Sequence, residues 1–180
     1  MEKKIVIVLL SQIEKKILEE LRNHLGNVFN LKVEFLPREF NLKFAFNEER
    51  GQFLASSILE RLRDFKKDDF EKWLAICDAD LFVEGLNFVF GEADIEKGVS
   101  IISLSRLRQS FYGLPNDERL FLERIQKEAT HELGHLFYLG HCQNPNCVMY
   151  FSNSILDTDR KPKFFCEKCQ KILQSYLEKK

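Results

Sequence analysis

Two clusters of metal-binding side chains occupy the last third of this 180-residue chain. The chain contains 4 histidines and 5 cysteines, and most of them fall within residues 131–169. In chain order these clustered residues are His131, His135, His141, Cys142, Cys147, Cys166 and Cys169. Imidazole nitrogen and thiolate sulfur are the ligands that zinc and other borderline or soft metal ions prefer. The uneven distribution therefore predicts metal chemistry in this part of the chain.

The histidine cluster has the spacing of a catalytic zinc site. His131, Glu132 and His135 form an H-E-x-x-H motif, and residues four apart lie on one face of a helix. Zinc lowers the pKa of its bound water to about 7, and Glu132 can take that proton without being a ligand. An unbroken helix would point His141 away, so we predict a turn before it, for which Gly140 offers a place. Three protein ligands leave one position open, as in catalytic zinc sites.

The cysteine cluster predicts a second, structural zinc site. Cys142 and Cys147 lie five residues apart, and a C-x-x-C pair, Cys166 and Cys169, follows. Paired thiolates separated by a loop are typical of a closed four-cysteine zinc site, which would stabilise a segment too short to build its own core. Two disulfides or a redox C-x-x-C are the alternatives. A reducing compartment disfavours the first, and the lack of a thioredoxin-like context disfavours the second.

The composition limits the class of protein. Hydrophobic residues make up 44% and charged residues 31% of the chain, which indicates one ordinary soluble globular domain. A formal net charge of −1 argues against a globally basic nucleic-acid-binding protein. The apolar run Ile5–Leu10 is too short for a signal peptide, and no stretch reaches the length of a transmembrane helix. We expect a cytoplasmic protein that does not interact with membranes, with a monomer as the default oligomeric state.

The hydrophobic pattern predicts an α+β fold that begins like an α/β protein. Residues 4–10 form an apolar run typical of a buried strand, and residues 31–36 alternate as a second strand. The helix between them is expected to start at an S-x-x-E capping box, Ser11 and Glu14, and to end at Gly26. This β-α-β order favours a right-handed crossover and a parallel pair.

The rest of the chain mixes helices and strands. Segment 38–48 is read as an irregular loop or a short hairpin. We expect a helix at 50–66, and strands at 73–77, 87–90 and 99–104, the last two antiparallel with 91–98 as their turn. A long helix with Phe121 and Ile125 on its apolar stripe should end near His135, and a last short helix should span 167–177.

The combined motif resembles a known family. H-E-x-x-H, a third histidine six residues later and a methionine in a following turn resemble the metzincin zinc peptidases. The further arrangement of cysteines resembles the archaemetzincins in particular, here as His141-Cys142, Cys147-Val-Met149 and Cys166-Glu-Lys-Cys169. The segment GLNFVFGEAD at residues 85–94 is also similar to a segment of that family.

The resemblance implies a zincin-type fold and a peptidase activity that uses two zinc ions. Residues 1–141 would form an upper subdomain with a twisted mixed sheet and the active-site helix, and residues 142–180 a small loop-rich zinc-bound subdomain. Met149 would be an apolar floor below the catalytic zinc, and Glu132 the general base. A strand at the cleft edge would pair with an extended peptide or protein substrate. This strand would be formed by Asn87, Phe88, Val89 and Phe90.

One position departs from the family pattern. The family has glycine three residues after the second histidine, where this chain has Tyr138. A tyrosine in the left-handed conformation that ends this helix would cost about 1–2 kcal/mol, unless the turn moves to Gly140. Tyr138 is also a candidate residue for lining the substrate cleft.

Two other functions compete with a peptidase. A single-zinc ribonuclease could use the same histidine spacing, but that family has H-G-x-x-H and no four-cysteine site, so Glu132 and the cysteines argue against it. A zinc-stabilised binding module could use the basic run at Arg160, Lys161, Lys163, Lys168 and Lys171. Such a run is usually a solvated face, and no aromatic RNA-binding motif accompanies it. Nucleic acid is therefore not the expected partner.

Overall fold

The computed structural model describes residues 3–37 and 40–178. The described chain alternates strands and helices in its first half and is helical or irregular after its last strand. The strands are β1 (Lys4–Leu9), β2 (Lys32–Pro37), β3 (Phe46–Asn47), β4 (Gln52–Leu54), β5 (Glu71–Cys77), β6 (Leu81–Phe82), β7 (Gly91–Asp94) and β8 (Val99–Ser103). The α-helices are α1 (Lys15–Phe29), α2 (Ala55–Phe65), α3 (Glu118–Leu136), α4 (Ile155–Arg160) and α5 (Glu167–Leu177).

A five-stranded mixed sheet forms the centre of the fold, in the order β2-β1-β5-β8-β7. Its first four strands are parallel, and β7 pairs antiparallel with β8 at one edge. The predicted parallel pairing of the first two strands is confirmed. A second, three-stranded sheet has the order β3-β4-β6, and its hairpin of β3 and β4 lies only partly in segment 38–48, where a loop or a short hairpin was expected. The α+β fold class is therefore confirmed.

Both faces of the large sheet are covered by helices. Successive side chains of a strand point to opposite faces, and in β1 Ile5 and Ile7 pack toward α1 and α3 while Val6 and Val8 pack toward α2. All four side chains are buried. A continuous run of branched aliphatic residues is what a strand covered on both sides requires.

Helix α3 carries the H-E-x-x-H motif across the sheet. Its N-terminus is capped by Asp117, whose side chain accepts a hydrogen bond from the Leu120 N–H at 2.9 Å. Arg124 pairs with Asp159 of α4 at 2.7 Å, which joins the middle of α3 to the C-terminal segment. The long helix and the last helix, at Glu167–Leu177, are both confirmed.

The boundaries of α1 differ from the prediction. Helix α1 begins at Lys15 without a side-chain cap, and the Ser11 hydroxyl accepts a hydrogen bond from the Asp78 N–H instead. The helix continues through Gly26 and ends where Asn30 adopts a left-handed conformation, with φ 52°. Asparagine tolerates this conformation better than most residues, so it can end a helix as glycine does.

The prediction of a strand at residues 87–90 is wrong. The strand that pairs with β8 is Gly91–Asp94, where a turn had been expected, and the turn to β8 contains Gly98 with φ +65°. Residues 87–90 form only an isolated bridge, between Val89 and Leu81. Likewise, the helix expected from residue 50 begins at Ala55, after β4. Residues 38 and 39 of the predicted loop lie outside the described part of the chain.

No helix in the described ranges is long and apolar enough to cross a membrane.

Candidate active site

Three imidazoles converge at the C-terminal end of α3. His131 and His135, one helical turn apart, place their Nε2 atoms 3.2 Å from each other. His141 returns to the same point, so that one ring nitrogen from each of the three residues lies within 4.8 Å of the others. The predicted triad is therefore assembled as the spacing required.

Backbone carbonyls orient the two helical histidines. Nδ1 of His131 lies 2.8 Å from the Val148 carbonyl oxygen, and Nδ1 of His135 lies 2.8 Å from that of Leu139. A carbonyl only accepts, so each Nδ1 carries the proton and each Nε2 presents its lone pair. Burial lowers the pKa of all three imidazoles and favours their neutral form. Neutral imidazoles with converging lone pairs fit a zinc ion.

The turn that returns His141 is made by Tyr138. Helix α3 ends at Leu136, and Tyr138 has φ 65°, the left-handed conformation. Gly140 does not take this role, so the turn has not moved. The Tyr138 ring stacks on Tyr176 of α5, with centroids 4.8 Å apart and planes 12° apart. It lies in a surface groove beside His141 and not in the cavity next to Glu132.

Glu132 lies beside this triad in a small cavity of about 230 Å³. The predicted cleft residues contribute one wall of the cavity: Asn87, Phe88, Val89 and Phe90. Burial raises the pKa of the Glu132 carboxyl well above its usual value, nearby Glu128 raises it further, and Lys161 opposes both. Gly91 of β7 packs directly on Glu132, since a Cβ there would stand 2.7 Å from Glu132 Oε1.

The four predicted structural ligands also meet. One sulfur from each of Cys142, Cys147, Cys166 and Cys169 lies within 4.8 Å of the others. The Sγ atoms of Cys142 and Cys166 are 3.8 Å apart, far beyond the roughly 2.05 Å of a disulfide, and all are free thiols. The Cys166 N–H donates a hydrogen bond to the Cys147 sulfur at 3.3 Å. Four converging sulfurs fit a second zinc ion.

Short hydrogen bonds join the two clusters. The Cys142 N–H donates to the Met149 carbonyl at 2.9 Å, and the next carbonyl back, of Val148, accepts from His131. The Met149 side chain is fully buried against α3, where a Cβ on Gly134 would stand 2.5 Å from its sulfur. The segment directly after Cys147, which contains Val148 and Met149, thus packs against the helix that carries the histidines.

A buried ion pair beside the site was not predicted from the sequence. Lys161 Nζ lies 3.1 Å from Glu128 Oε1, and the two side chains are 1% and 4% exposed. The interpretation of this basic run as a solvated face is therefore wrong for Lys161, whereas Arg160 and Lys171 are exposed as expected. Lys163 donates a hydrogen bond to the Gln126 side chain. The position of Glu128 could have indicated a charged group near the site. Glu128 lies three residues before His131, which places both residues on the same helix face.

The fold and the two ligand clusters define a zinc metallopeptidase, a hydrolase of peptide bonds. The chain belongs to Peptidase family M54, whose family model matches residues 1–175. The resemblance to archaemetzincins is confirmed. Archaemetzincin from Pyrococcus abyssi is 44% identical over 179 residues, covering 96% of this chain and 95% of the relative.

Solved structures agree with this assignment. Archaemetzincin from Methanopyrus kandleri superposes with a TM-score of 0.86 at 36% identity, covering 99% of this chain and 97% of that chain. A zinc-dependent peptidase from Methanocorpusculum labreanum also has a TM-score of 0.86, at 33% identity, covering 94% of this chain and 99% of that chain.

Substitution of Gly134 by alanine tests the packing under the histidines. The new Cβ would overlap the buried Met149 sulfur, and overpacking of this kind costs about 1–3 kcal/mol, against a helix-propensity gain of about 1 kcal/mol. We expect a net loss in the free energy of unfolding, measured by urea titration. Gly140→Ala is the matched control, because a Cβ there meets no atom within 4 Å. Equal stability of the two variants would contradict the packing.

Proposed function

We propose that this protein hydrolyses peptide bonds with one catalytic zinc bound by His131, His135 and His141, and with Glu132 as general base. The observation that carries the proposal is the convergence of three imidazole nitrogens within 4.8 Å at the edge of a cavity that Glu132 lines. Bound there, zinc supplies Lewis acidity to a water molecule and to the substrate carbonyl. A peptide or protein is the expected substrate.

The protein's own groups supply proton transfer and positioning. Glu132 takes the proton of the attacking water and holds it on its carboxylate, then delivers it to the leaving amine nitrogen. A buried carboxyl with a raised pKa suits this exchange, because it can hold the proton between the two steps. Gly91 gives Glu132 the room to reach the cavity.

We also propose where the substrate chain lies. Residues 87–90 form one wall of the cavity, and β7 directly after them is the outermost strand of the large sheet. An extended peptide along this edge would place its scissile bond beside Glu132 and use the backbone groups of an unpaired strand edge.

The cysteine cluster is proposed to hold a second, structural zinc ion. It would stabilise a C-terminal subdomain of residues 142–180 against an upper subdomain of residues 1–141. Met149 would form the apolar floor beneath the catalytic site. The ribonuclease and the binding-module alternatives gain no support from the family.

Glu132→Gln tests the general base. The amide cannot accept the proton, and loss of a general base costs roughly 10²–10⁴-fold in rate. We expect that loss in kcat on a fluorogenic peptide, while elemental analysis still finds two zinc ions per chain. Glu167→Gln on exposed α5 is the control and should keep full activity. A fully active Glu132→Gln enzyme would refute the assigned role.

Gly91→Ala tests the positioning of Glu132 without changing any proposed ligand. The new Cβ would overlap Glu132 and the Ile101 carbonyl oxygen, each at 2.7 Å, so the carboxylate must move. Displacement by about 1 Å can cost up to about 10²-fold in rate. We expect kcat to fall roughly 10–100-fold with zinc content unchanged, whereas Gly140→Ala keeps wild-type kcat. Unchanged kcat in Gly91→Ala would show that this contact does not position the base.

Cys166→Ser tests the second metal. Zinc binding to closed sites contributes apparent free energies of about 10–16 kcal/mol that are coupled to folding. We expect one zinc ion instead of two by elemental analysis, and a free energy of unfolding lowered by several kcal/mol. Cys77→Ala is the control, because Cys77 is buried outside both clusters and should leave two ions bound. An unchanged unfolding transition in Cys166→Ser would argue against a structural role.

A further inference from the structure

The cavity beside Glu132 has a charged floor that the proposed chemistry does not use. Glu128 of α3 and Lys161, the residue after α4, both line it and form an ion pair at 3.1 Å. Ser152, two residues after Tyr150, lines the same cavity. Burying charges is costly unless the site has a use for them or satisfies every hydrogen bond.

Two hydrogen-bond donors at this floor, one N–H of Lys161 and the Ser152 hydroxyl, lack an acceptor among the described residues. The Lys161 ammonium has three N–H groups, and in the described part of the chain it meets two acceptors, Glu128 Oε1 at 3.1 Å and the Tyr150 carbonyl at 3.4 Å. The Ser152 hydroxyl is buried and has no partner among the described residues. Glu128 Oε1, in contrast, accepts from both Lys161 and Thr158.

A carboxylate would satisfy both donors, because ionised carboxylates only accept hydrogen bonds. An ammonium can hold two carboxylates at once, as Lys4 does in this protein with Glu34 at 2.9 Å and Glu71 at 3.0 Å. Lys161 can therefore keep Glu128 and bind a second carboxylate. A volume of about 230 Å³ is below that of pockets for whole ligands and suits one substrate side chain.

We propose that this cavity binds a substrate carboxylate next to the scissile bond, with Lys161 and Ser152 as its donors. The inference rests on the proposed peptidase function. The carboxylate has two possible sources, the side chain of an aspartate or glutamate and the C-terminal carboxylate of a short peptide. An apolar substrate residue would leave the third N–H of Lys161 and the Ser152 hydroxyl without acceptors, and a lysine would face the Lys161 charge.

Peptides that differ at one position test the selectivity. We would vary each residue flanking the cleaved bond among Glu, Gln, Leu and Lys, with free and amidated C-termini. We expect kcat/KM for the best Glu peptide to exceed those for Leu and Lys by at least about 10-fold. If free-acid peptides are cleaved faster than their amides whichever residue flanks the bond, the terminal carboxylate is the ligand. Equal cleavage of the Glu and Leu peptides with no effect of amidation, or preference for Lys, would overturn the proposal.

A measurement of peptide binding to an inactive variant distinguishes failure of this inference from failure of the proposed peptidase function. The inactive Glu132→Gln protein, loaded with zinc, would be titrated with fluorescent Glu and Leu peptides, and binding followed by anisotropy. Tighter binding of the Glu peptide supports the carboxylate site even if no peptide is cleaved. Cleavage without any preference, together with equal binding, refutes the carboxylate site and leaves the peptidase function standing.

Two variants assign the donors. Ser152→Ala removes one donor and keeps the ion pair, so we expect KM to rise about 3–10-fold for the Glu peptide and not for the Leu peptide. The double variant Glu128→Gln/Lys161→Met removes the ammonium without leaving a lone buried charge, and should abolish the preference. Ser175→Ala on exposed α5 is the control. Equal losses for all peptides would indicate a structural role and refute the assignment.

Discussion

The hydrogen bond from His131 to the Val148 carbonyl is the contact on which the rest of the site depends. It joins the active-site helix to the segment directly after Cys147, and it fixes which nitrogen of the imidazole is free for a metal. Val148 is in turn held by its N–H, which donates to the Phe164 carbonyl at 2.9 Å. The orientation of a histidine on α3 is thus set by a segment that has little core of its own.

The same segment satisfies the buried charges of α3. Arg124 and Lys127 are nearly fully buried, and both bond to Asp159, the first through its carboxylate and the second through its backbone carbonyl. Glu128 is paired with Lys161. Unpaired buried charges would cost several kcal/mol each, so α3 can keep its position only while the C-terminal segment is folded against it. A structural zinc would therefore support the catalytic site through ordinary polar contacts.

Much of the fold could be predicted from periodicity, and the errors have physical causes. The long helix and the last helix follow a clear helical stripe, and β1 is an uninterrupted apolar run. The segment 87–90 is equally apolar, but its side chains line the cavity, and hydrophobicity marks burial and not strand pairing. The strand that pairs with β8 is instead Gly91–Asp94. It lies next to the helix that bears Glu132, and a glycine at position 91 is needed because the backbone there approaches the Glu132 side chain closely.

The sequence by itself predicted which residues form the two clusters of candidate ligands, because these residues are close in the chain and their spacing already limits the geometry. It also placed the turn near His141, but the choice of Tyr138 over Gly140 for the left-handed residue was made by the structure. Only the tertiary structure decided the contacts of Gly91 with Glu132, of Lys161 with Glu128 and of Val148 with His131. These pairs are distant in sequence and carry no local pattern, so packing alone brings them together.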